Sequence, residues 1–333
     1  RRDHLRGCPG PSELGSRRRV WPLRGLPGAA RFFAQTTPTG LGSLALELSP
    51  HDSIRTLVDL EPEHPGFQDA AYRSRRNEIA QIAAVYSPGD PVPEAPYTDE
   101  EHAVWHRVLG LLRPQHEEHV AEPILVVQRK LPLPRHRIPQ LSFVNERLKP
   151  RTGMQMEPVM GLVKVRNFLS KLASGVFLST QYIRHHSRPL YTPEPDIVHE
   201  LIGHMASLAH PRVAAANRWM GRAACDASEV ELVRLEHVYW YVLEFGLCEQ
   251  DGALKAVGAG LLSSAGELSA IESGPELLPW DLDTIARTPY DPTRMQPKLF
   301  VGPSFERMLD DLIDWTCRGA WREQGRGQDW SPA

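Results

Sequence analysis

Two histidines and a glutamate in apolar surroundings constrain this chain more than any other feature. His199 and His204 lie five residues apart in an aliphatic helical pattern, and Glu244 follows forty residues after His204 in an aromatic and aliphatic segment. A buried carboxylate is costly unless it is paired or bound to a cation, whereas a neutral imidazole nitrogen is a good metal ligand. Two imidazoles and one carboxylate form the facial triad typical of non-haem Fe(II) oxygenases. We therefore expect a fold that brings these three side chains to one metal ion.

A zinc peptidase is the nearest competing interpretation, because His199-Glu-Leu-Ile-Gly-His204 is close to the His-Glu-x-x-His signature. In that signature the two ligands are four residues apart and share one face of a helix. Here they are five residues apart, which is about 140° on a regular α-helix. Both rings reach one ion only if the helix ends or is distorted near Gly203. The peptidase interpretation is therefore disfavoured.

The hydrophobic patterns predict a mostly helical α+β fold, with a single helical domain and small peripheral β-sheets. Helical patterns cover residues 69–86, 99–112, 165–174, 196–208, 228–245 and 305–320, and strand patterns cover 124–128 and 298–301. Ser228-Glu-Val-Glu231 is a capping box, and it begins the helix whose last turn holds Glu244. A helix C-terminus carries partial negative charge, so a buried carboxylate there needs a cation.

Composition limits the possible location of the protein and the character of its N-terminal segment. No run of eighteen apolar residues occurs, so we expect no membrane span, and the four cysteines show no paired spacing, which predicts reduced thiols in the cytoplasm. The first forty residues hold eight arginines against Asp3 and Glu13. A transit peptide or a nucleic-acid arm has this composition, but no aromatic interleaving supports nucleic-acid binding. We expect residues 1–51 to be disordered and 52–333 to form the folded domain.

Segments around the candidate ligands carry a family resemblance. They are Gln181-Tyr-Ile-Arg-His-His-Ser-Arg-Pro-Leu-Tyr-Thr-Pro-Glu-Pro-Asp196, block 199–204, Glu244-Phe-Gly-Leu-Cys248 and Gly258-Ala-Gly-Leu-Leu-Ser-Ser264. Together they resemble the catalytic domain of the tetrahydropterin-dependent aromatic amino acid hydroxylases, with a phenylalanine hydroxylase-like pattern. Weaker similarity extends the resemblance over most of the chain. It implies the aromatic amino acid hydroxylase catalytic fold for residues 52–333.

The resemblance implies a metal site and two cofactors. It implies Fe(II) bound by His199, His204 and Glu244, with tetrahydrobiopterin or a related tetrahydropterin as the electron donor and O₂ as the oxidant. Glu200 would be a catalytic residue near the pterin and an iron-bound water, not a metal ligand. The other partner implied is a small-molecule aromatic amino acid.

The resemblance also implies two groups of binding residues. Arg184 would hold the substrate carboxylate through two hydrogen bonds, a geometry for which guanidinium is well suited, while Asp196 orients it. The remaining substrate-binding residues would be Thr192, Pro195, Trp240, Phe245 and Ser263. The cofactor-binding residues would be Gly161, Val163, Phe168 and Tyr239.

The reaction implied is ring hydroxylation of a free aromatic amino acid, with phenylalanine converted to tyrosine by 4-hydroxylation as the first expectation. Met205, Ala206, Leu178 and Val257 depart from the pattern of animal enzymes. These departures leave open phenylalanine 3-hydroxylation to meta-tyrosine, and hydroxylation of tyrosine or tryptophan. A pterin- or metal-binding protein without turnover is the alternative from another class. Without a regulatory domain before residue 52 or a heptad-patterned tail, a monomer is expected.

Overall fold

Helix dominates the part of the chain that the computed structural model describes, which is residues 60, 62 and 64–323 apart from 191, 193 and 293. The segment 1–51, for which the sequence predicts disorder, lies outside these residues. The α-helices are α1 (Ala70–Ala84), α2 (Asp99–His119), α3 (Glu122–Lys130), α4 (Leu141–Thr152), α5 (Val165–Ala173), α6 (Ala206–Leu208), α7 (Pro211–Asp226), α8 (Glu229–Val238), α9 (Ala259–Ser263), α10 (Ala265–Leu268), α11 (Leu282–Ile285) and α12 (Phe305–Cys317).

Two further helices are π-helical, with hydrogen bonds that span five residues. They are π1 (His199–Met205) and π2 (Tyr239–Glu244). The sequence predicts helix over both segments, with a distortion near Gly203 in the first, whereas the π-helical form of the second has no counterpart in the prediction. π2 continues α8, and Ser228 begins that helix with the predicted capping box. Glu244 is the last residue of π2, as the pattern of its segment predicts.

The strands form two small sheets. They are β1 (Gln155–Pro158), β2 (Val176–Ser179), β3 (Leu247–Gln250), β4 (Ala253–Ala256), β5 (Glu276–Pro279) and β6 (Lys298–Gly302). β1 and β2 pair in parallel, and the second sheet has the order β4-β3-β6-β5, with β3 and β4 antiparallel and the other pairs parallel. The prediction of a mostly helical α+β fold with small sheets is confirmed.

The strand predicted at 124–128 is wrong, because these residues lie in α3. Its apolar run, Ile124-Leu-Val-Val-Gln, is short and aliphatic, and periodicity alone does not separate a buried strand from a buried helix at this length. Pro123 falls in the first turn of α3, where a missing N–H costs nothing. Ile124, Leu125 and Val127 are buried in the core.

The apolar core is continuous from α2 and α3 through π1 and π2 to α12. π1 lies within it, since Leu201 and Ile202 are buried among core residues. No helix within the described ranges is both long and apolar enough to cross a membrane. The metal-ligand candidates lie in π1 and π2, whose other residues pack in the apolar core.

Candidate active site

The π-helical form of π1 explains how two histidines five residues apart can lie on the same face of a helix. In a helix with i to i+5 hydrogen bonds, residues five positions apart are close to one full turn apart, so they share a face. His199 and His204 have this spacing, and their ring centroids are 4.6 Å apart. The distortion predicted near Gly203 is thus confirmed, and it extends over the whole of π1.

The third candidate ligand meets the two imidazoles at the end of π2. His204 Nε2 lies 3.0 Å from Glu244 Oε1 and 3.0 Å from His199 Nε2, and His199 Nε2 lies 3.6 Å from Glu244 Oε2. All three residues offer ligand atoms within 4.8 Å of one another. The structure therefore brings together the three predicted metal ligands, although two lie in π1 and the third lies in a segment far along the chain.

Helix α9 fixes the tautomer of His199. Ser263 Oγ donates to Ala259 O, 3.0 Å away, within its own helix, and His199 Nδ1 lies 2.9 Å from the same Oγ. Two backbone carbonyls are in reach of the Ser263 hydroxyl proton, since Gly260 O also lies 3.1 Å from Oγ, so we assign His199 Nδ1 as the donor to Ser263 Oγ. The lone pair of His199 is then on Nε2, which faces His204 and Glu244.

Helix α9 and the residue before it pack closely against both π-helices. A Cβ atom on Gly203 of π1 would lie 2.5 Å from Ala259 O, and a Cβ atom on Gly258 would lie 2.3 Å from the Glu244 backbone. Such distances exclude a side chain at both positions. The two glycines therefore allow α9 to approach π1 and the end of π2, which sets the distance between the histidines and Glu244.

Charge is unevenly distributed among the three groups. Burial opposes charge on both His204 and Glu244, but their contact prevails, so the pKa of Glu244 is lowered and that of His204 is raised. Burial, and next the neighbouring His204, lower the pKa of His199 to about 4. His199 is therefore a neutral imidazole at physiological pH, which is the form that binds metals.

These groups lie on the wall of a pocket of about 490 Å³. With one exception, every residue predicted to bind substrate, pterin or metal lines it. The predicted residues in its lining are Gly161, Val163, Phe168, Arg184, Thr192, Pro195, His199, Glu200, His204, Tyr239, Trp240, Glu244, Phe245 and Ser263. The exception is Asp196, which is fully buried behind Arg184.

Asp196 occupies the bidentate edge of Arg184. Arg184 Nε and Nη2 donate to the two Asp196 oxygens at 2.9 and 2.8 Å, and Nη1 donates to the carbonyls of Pro189 and Ser263 at 3.2 Å. Only the second N–H of Nη2 has no acceptor among the described residues. Asp196 thus takes the Nε and Nη2 edge, as expected of a residue that orients Arg184, and the binding of a ligand carboxylate by Arg184 stays a prediction. The Thr192 hydroxyl is buried, has no hydrogen-bond partner among the residues that the structure describes, and lines the same pocket.

Aromatic rings form two parts of the pocket wall. Phe168 packs edge-on against Tyr239 at 5.4 Å and against Phe177 at 5.3 Å between ring centroids. In the second part, Trp240 stacks on Tyr290 at 4.0 Å and contacts Phe245 at 4.7 Å. The two groups offer apolar ring surfaces to the pocket that Glu244 also lines.

Glu200 is not one of the three clustered ligands. Its Oε1 accepts hydrogen bonds from the backbone N–H and the hydroxyl of Thr180, each 3.0 Å long. Burial raises the pKa of Glu200 to about 7, although His204 and the Thr180 bonds oppose this rise. A carboxyl group held by Thr180 in this way lines the pocket next to the ligand cluster without joining it.

Sequence reasoning missed the segment around Gln296. Gln296 Oε1 accepts from Trp240 Nε1 at 3.0 Å, its Nε2 donates to the carbonyls of Asp291 and Arg294, and its backbone N–H donates to Glu267. These bonds hold the segment that carries Tyr290 against the pocket. No sequence signal marks Gln296, because its partners include residues from distant parts of the chain.

Comparison with known proteins agrees with this site. The sequence profile of a family described as biopterin-dependent aromatic amino acid hydroxylase matches residues 45–320. That span contains the clustered ligands, Arg184 and the aromatic walls. This chain belongs to the biopterin-dependent aromatic amino acid hydroxylase family.

Relatives within the family include enzymes named for different activities. The chain is 45% identical over 265 residues to tyrosine 3-monooxygenase of Mus musculus, a match covering 78% of this chain and 53% of that protein. It is 43% identical over 267 residues to phenylalanine-4-hydroxylase of Caenorhabditis elegans, covering 78% and 58%. The chain thus spans about half the length of these relatives.

A solved structure shares the fold. The phenylalanine hydroxylase of Chromobacterium violaceum with bound iron(III) and 7,8-dihydrobiopterin superposes with a TM-score of 0.65 at 28% identity. The superposition covers 73% of this chain and 88% of that one. The hydroxylase catalytic fold predicted from the sequence is therefore confirmed.

Proposed function

We propose that this chain is the catalytic domain of a monooxygenase that uses Fe(II), a tetrahydropterin and O₂ to hydroxylate the ring of a free aromatic amino acid. The observation that carries this proposal is the convergence of His199, His204 and Glu244 on one wall of the pocket. Ligand atoms bound at right angles, each about 2.1 Å from one ion, lie about 3 Å apart. The separations of 3.0 to 3.6 Å fit this arrangement.

The chain's own residues would position the reactants. Bound Fe(II) and tetrahydropterin would supply the site and the electrons for O₂ activation. His199, His204 and Glu244 would hold the ion on the wall of the pocket, and three protein ligands leave coordination positions for other groups. Phe168 and Tyr239 would contact the flat pterin ring, supported by the backbone near Gly161 and Val163. Glu200, held by Thr180, would accept hydrogen bonds from the pterin or from water beside the ion.

Arg184 would bind the substrate carboxylate with the Nη2 N–H that Asp196 leaves free, and the unpartnered Thr192 hydroxyl would provide a second donor. Both groups are buried, so a carboxylate placed there gains charge-assisted hydrogen bonds in a poorly solvated site. Pro195, Trp240 and Phe245 would then hold the aromatic ring. The apolar ring surfaces of the walls would reduce the amount of water beside the reacting atoms.

Within this class we propose phenylalanine as the substrate and tyrosine as the product. The polar groups near the Trp240 wall are already paired, since Tyr290 OH donates to Glu236 and Glu267 accepts from the Gln296 N–H. A ring hydroxyl would have to share these carboxylates with the partners that they already have, and its burial in a largely apolar pocket costs desolvation free energy. An unsubstituted ring avoids this cost.

Tyrosine 3-hydroxylation is the second candidate, because tyrosine 3-monooxygenases of several mammals are 44% to 45% identical to this chain over the matched domain. The experiment compares phenylalanine, tyrosine and tryptophan as substrates of the iron-loaded protein with tetrahydropterin under O₂. NMR of the product identifies the hydroxylated carbon. Pterin oxidation that does not depend on any amino acid would overturn the enzymatic proposal and favour a binding protein. Faster turnover of tyrosine would replace phenylalanine as the substrate.

A further inference from the structure

A second cavity, of about 290 Å³, adjoins a different face of the segment that carries the histidines. It lies between α2, α3, the segment that follows α3, and the junction of π1 with α6. Its lining residues are Leu109, Leu112, Arg113, His116, Glu117, Leu125, Val127, Gln128, Arg129, Leu131, Pro132, Leu133, Arg135, Ile202, Met205 and Ala206. None of them lines the larger pocket, so the two sites are separate.

The interior of this cavity favours an apolar occupant. Leu112, Leu125 and Ile202 in its wall are buried core residues. The imidazole inside already has partners, because His116 Nε2 lies 2.7 Å from Leu262 O and its Nδ1 lies 3.2 Å from the Gln128 side chain. A ligand body there gains apolar contact and displaces no hydrogen bond of the protein.

The rim is cationic. Arg113 and Arg135 are exposed lining residues, and neither guanidinium has an ion pair or hydrogen bond with a residue that the structure describes. Arg129, by contrast, is paired with Glu117 and Glu122. The rim therefore offers two guanidinium groups to an anion outside the protein.

Charge complementarity selects the occupant, because two guanidinium groups without a partner among the described residues attract a negative group. The complementary occupant is an anion with an apolar body.

We propose that this cavity binds a small amphipathic carboxylate, with its apolar body inside and its carboxylate at Arg113 and Arg135. A cavity at the small end of the usual range for ligand sites accommodates a molecule of about 8 to 12 non-hydrogen atoms. Ile202 and Met205 form part of its floor, and both belong to π1. The occupant therefore packs against the helix that carries His199 and His204, and binding stabilises the folded chain.

Octanoate is the probe, titrated by calorimetry and followed by thermal unfolding of the whole chain. The test variant is Arg113→Gln with Arg135→Gln, and the matched control is Arg107→Gln with Arg137→Gln, which changes two exposed arginines outside the lining. We expect octanoate to raise the unfolding temperature. The test variant should bind it at least about tenfold more weakly, while the control binds like the parent chain.

A second variant, Leu133→Trp, adds volume at a half-buried lining position in the segment after α3. It should abolish octanoate binding while circular dichroism shows an unchanged fold. Octanol, which has the same chain length without the charge, should bind the parent chain and the Arg113→Gln, Arg135→Gln variant equally. The proposal is overturned if octanoate does not bind at up to about 10 mM, a range of weak affinity. Equal binding by both double variants, or full binding by Leu133→Trp, overturns it as well.

Discussion

Ser263 Oγ lies 2.9 Å from His199 Nδ1 and donates its own proton to Ala259 O. This pair links the tautomer of a metal-ligand candidate to the backbone of α9. With Nδ1 protonated, Nε2 presents its lone pair toward His204 and Glu244. Such outer contacts commonly govern metal affinity, because they fix both ring orientation and tautomer.

Replacement of Ser263 by alanine should weaken iron binding without removing a ligand. We expect a loss of about 10- to 100-fold in affinity for Fe(II), the range typical when a group that orients a ligand is removed. Anaerobic titration of the metal-free protein with Fe(II) measures it. Ser269→Ala is the control, because Ser269 is an exposed serine at the end of α10 whose hydroxyl donates to Gly266 O. Equal iron affinity in Ser263→Ala and the control would contradict the assigned role.

Loss of any one of the three ligands should abolish stoichiometric iron binding, because an incomplete face holds the ion poorly. His199→Ala, His204→Ala and Glu244→Ala are the test variants. Glu200→Gln is the matched control, since Glu200 is also buried but bonds to Thr180 instead. Metal analysis after desalting gives the iron per chain. Iron retained by Glu244→Ala and lost by Glu200→Gln would mean that the ligand set is wrong.

Gly258→Ala should destabilise the protein and perturb the metal site together. Its Cβ would lie 2.3 Å from the Glu244 backbone, so α9 or the end of π2 must move. We expect a loss of at least about 1 to 3 kcal/mol in unfolding free energy, as for overpacked cores. Gly110→Ala in α2 is the control, because a Cβ atom there would meet no neighbouring segment within 4 Å. That change should be neutral or stabilising. Denaturant unfolding distinguishes the two.

Arg184→Lys should affect both binding and stability, since Asp196 holds the guanidinium through two bonds. An ammonium group cannot reproduce this bidentate contact. We expect a lower unfolding temperature and a loss of about 2 to 4 kcal/mol in kcat/KM, expressed mainly in KM. The matched measurement uses phenylethylamine, which lacks the carboxylate and should hardly discriminate between parent and variant. An unchanged KM for the amino acid would make Arg184 structural only.

Acid should destabilise the chain through His64. Burial, and next Arg76, lower the pKa of His64 to about 4 in the folded state. In the unfolded chain His64 binds a proton near pH 6.5, whereas in the folded chain it binds one only near pH 4. The free energy of unfolding therefore falls as the pH falls from about 6.5 to about 4. We expect His64→Gln to remove about 1 to 2 kcal/mol of the difference in unfolding free energy between about pH 7 and pH 5. Urea unfolding at both pH values tests this, and an identical difference in parent and variant would exclude His64 as the cause.

Much of the helical framework is predictable from local sequence. The capping box at Ser228 and the apolar periodicity after it predict a helix with Glu244 in its last turn, and the structure confirms this. The strand prediction for 124–128 fails because the apolar run is too short for periodicity to distinguish a helix from a strand. Contacts with the core are made by these residues as a helix.

Local sequence already dictates which groups need a partner, because two imidazoles and a carboxylate in apolar segments require a cation or each other. The spacing of the histidines even predicts a distortion near Gly203. How the requirement is met depends on packing in three dimensions. The π-helical turn places His199 and His204 on one face, and the approach of α9 through Gly258 sets their distance to Glu244. The same packing directs the bidentate edge of Arg184 to Asp196. These outcomes rest on contacts between distant segments, and local propensity contains no information about such packing.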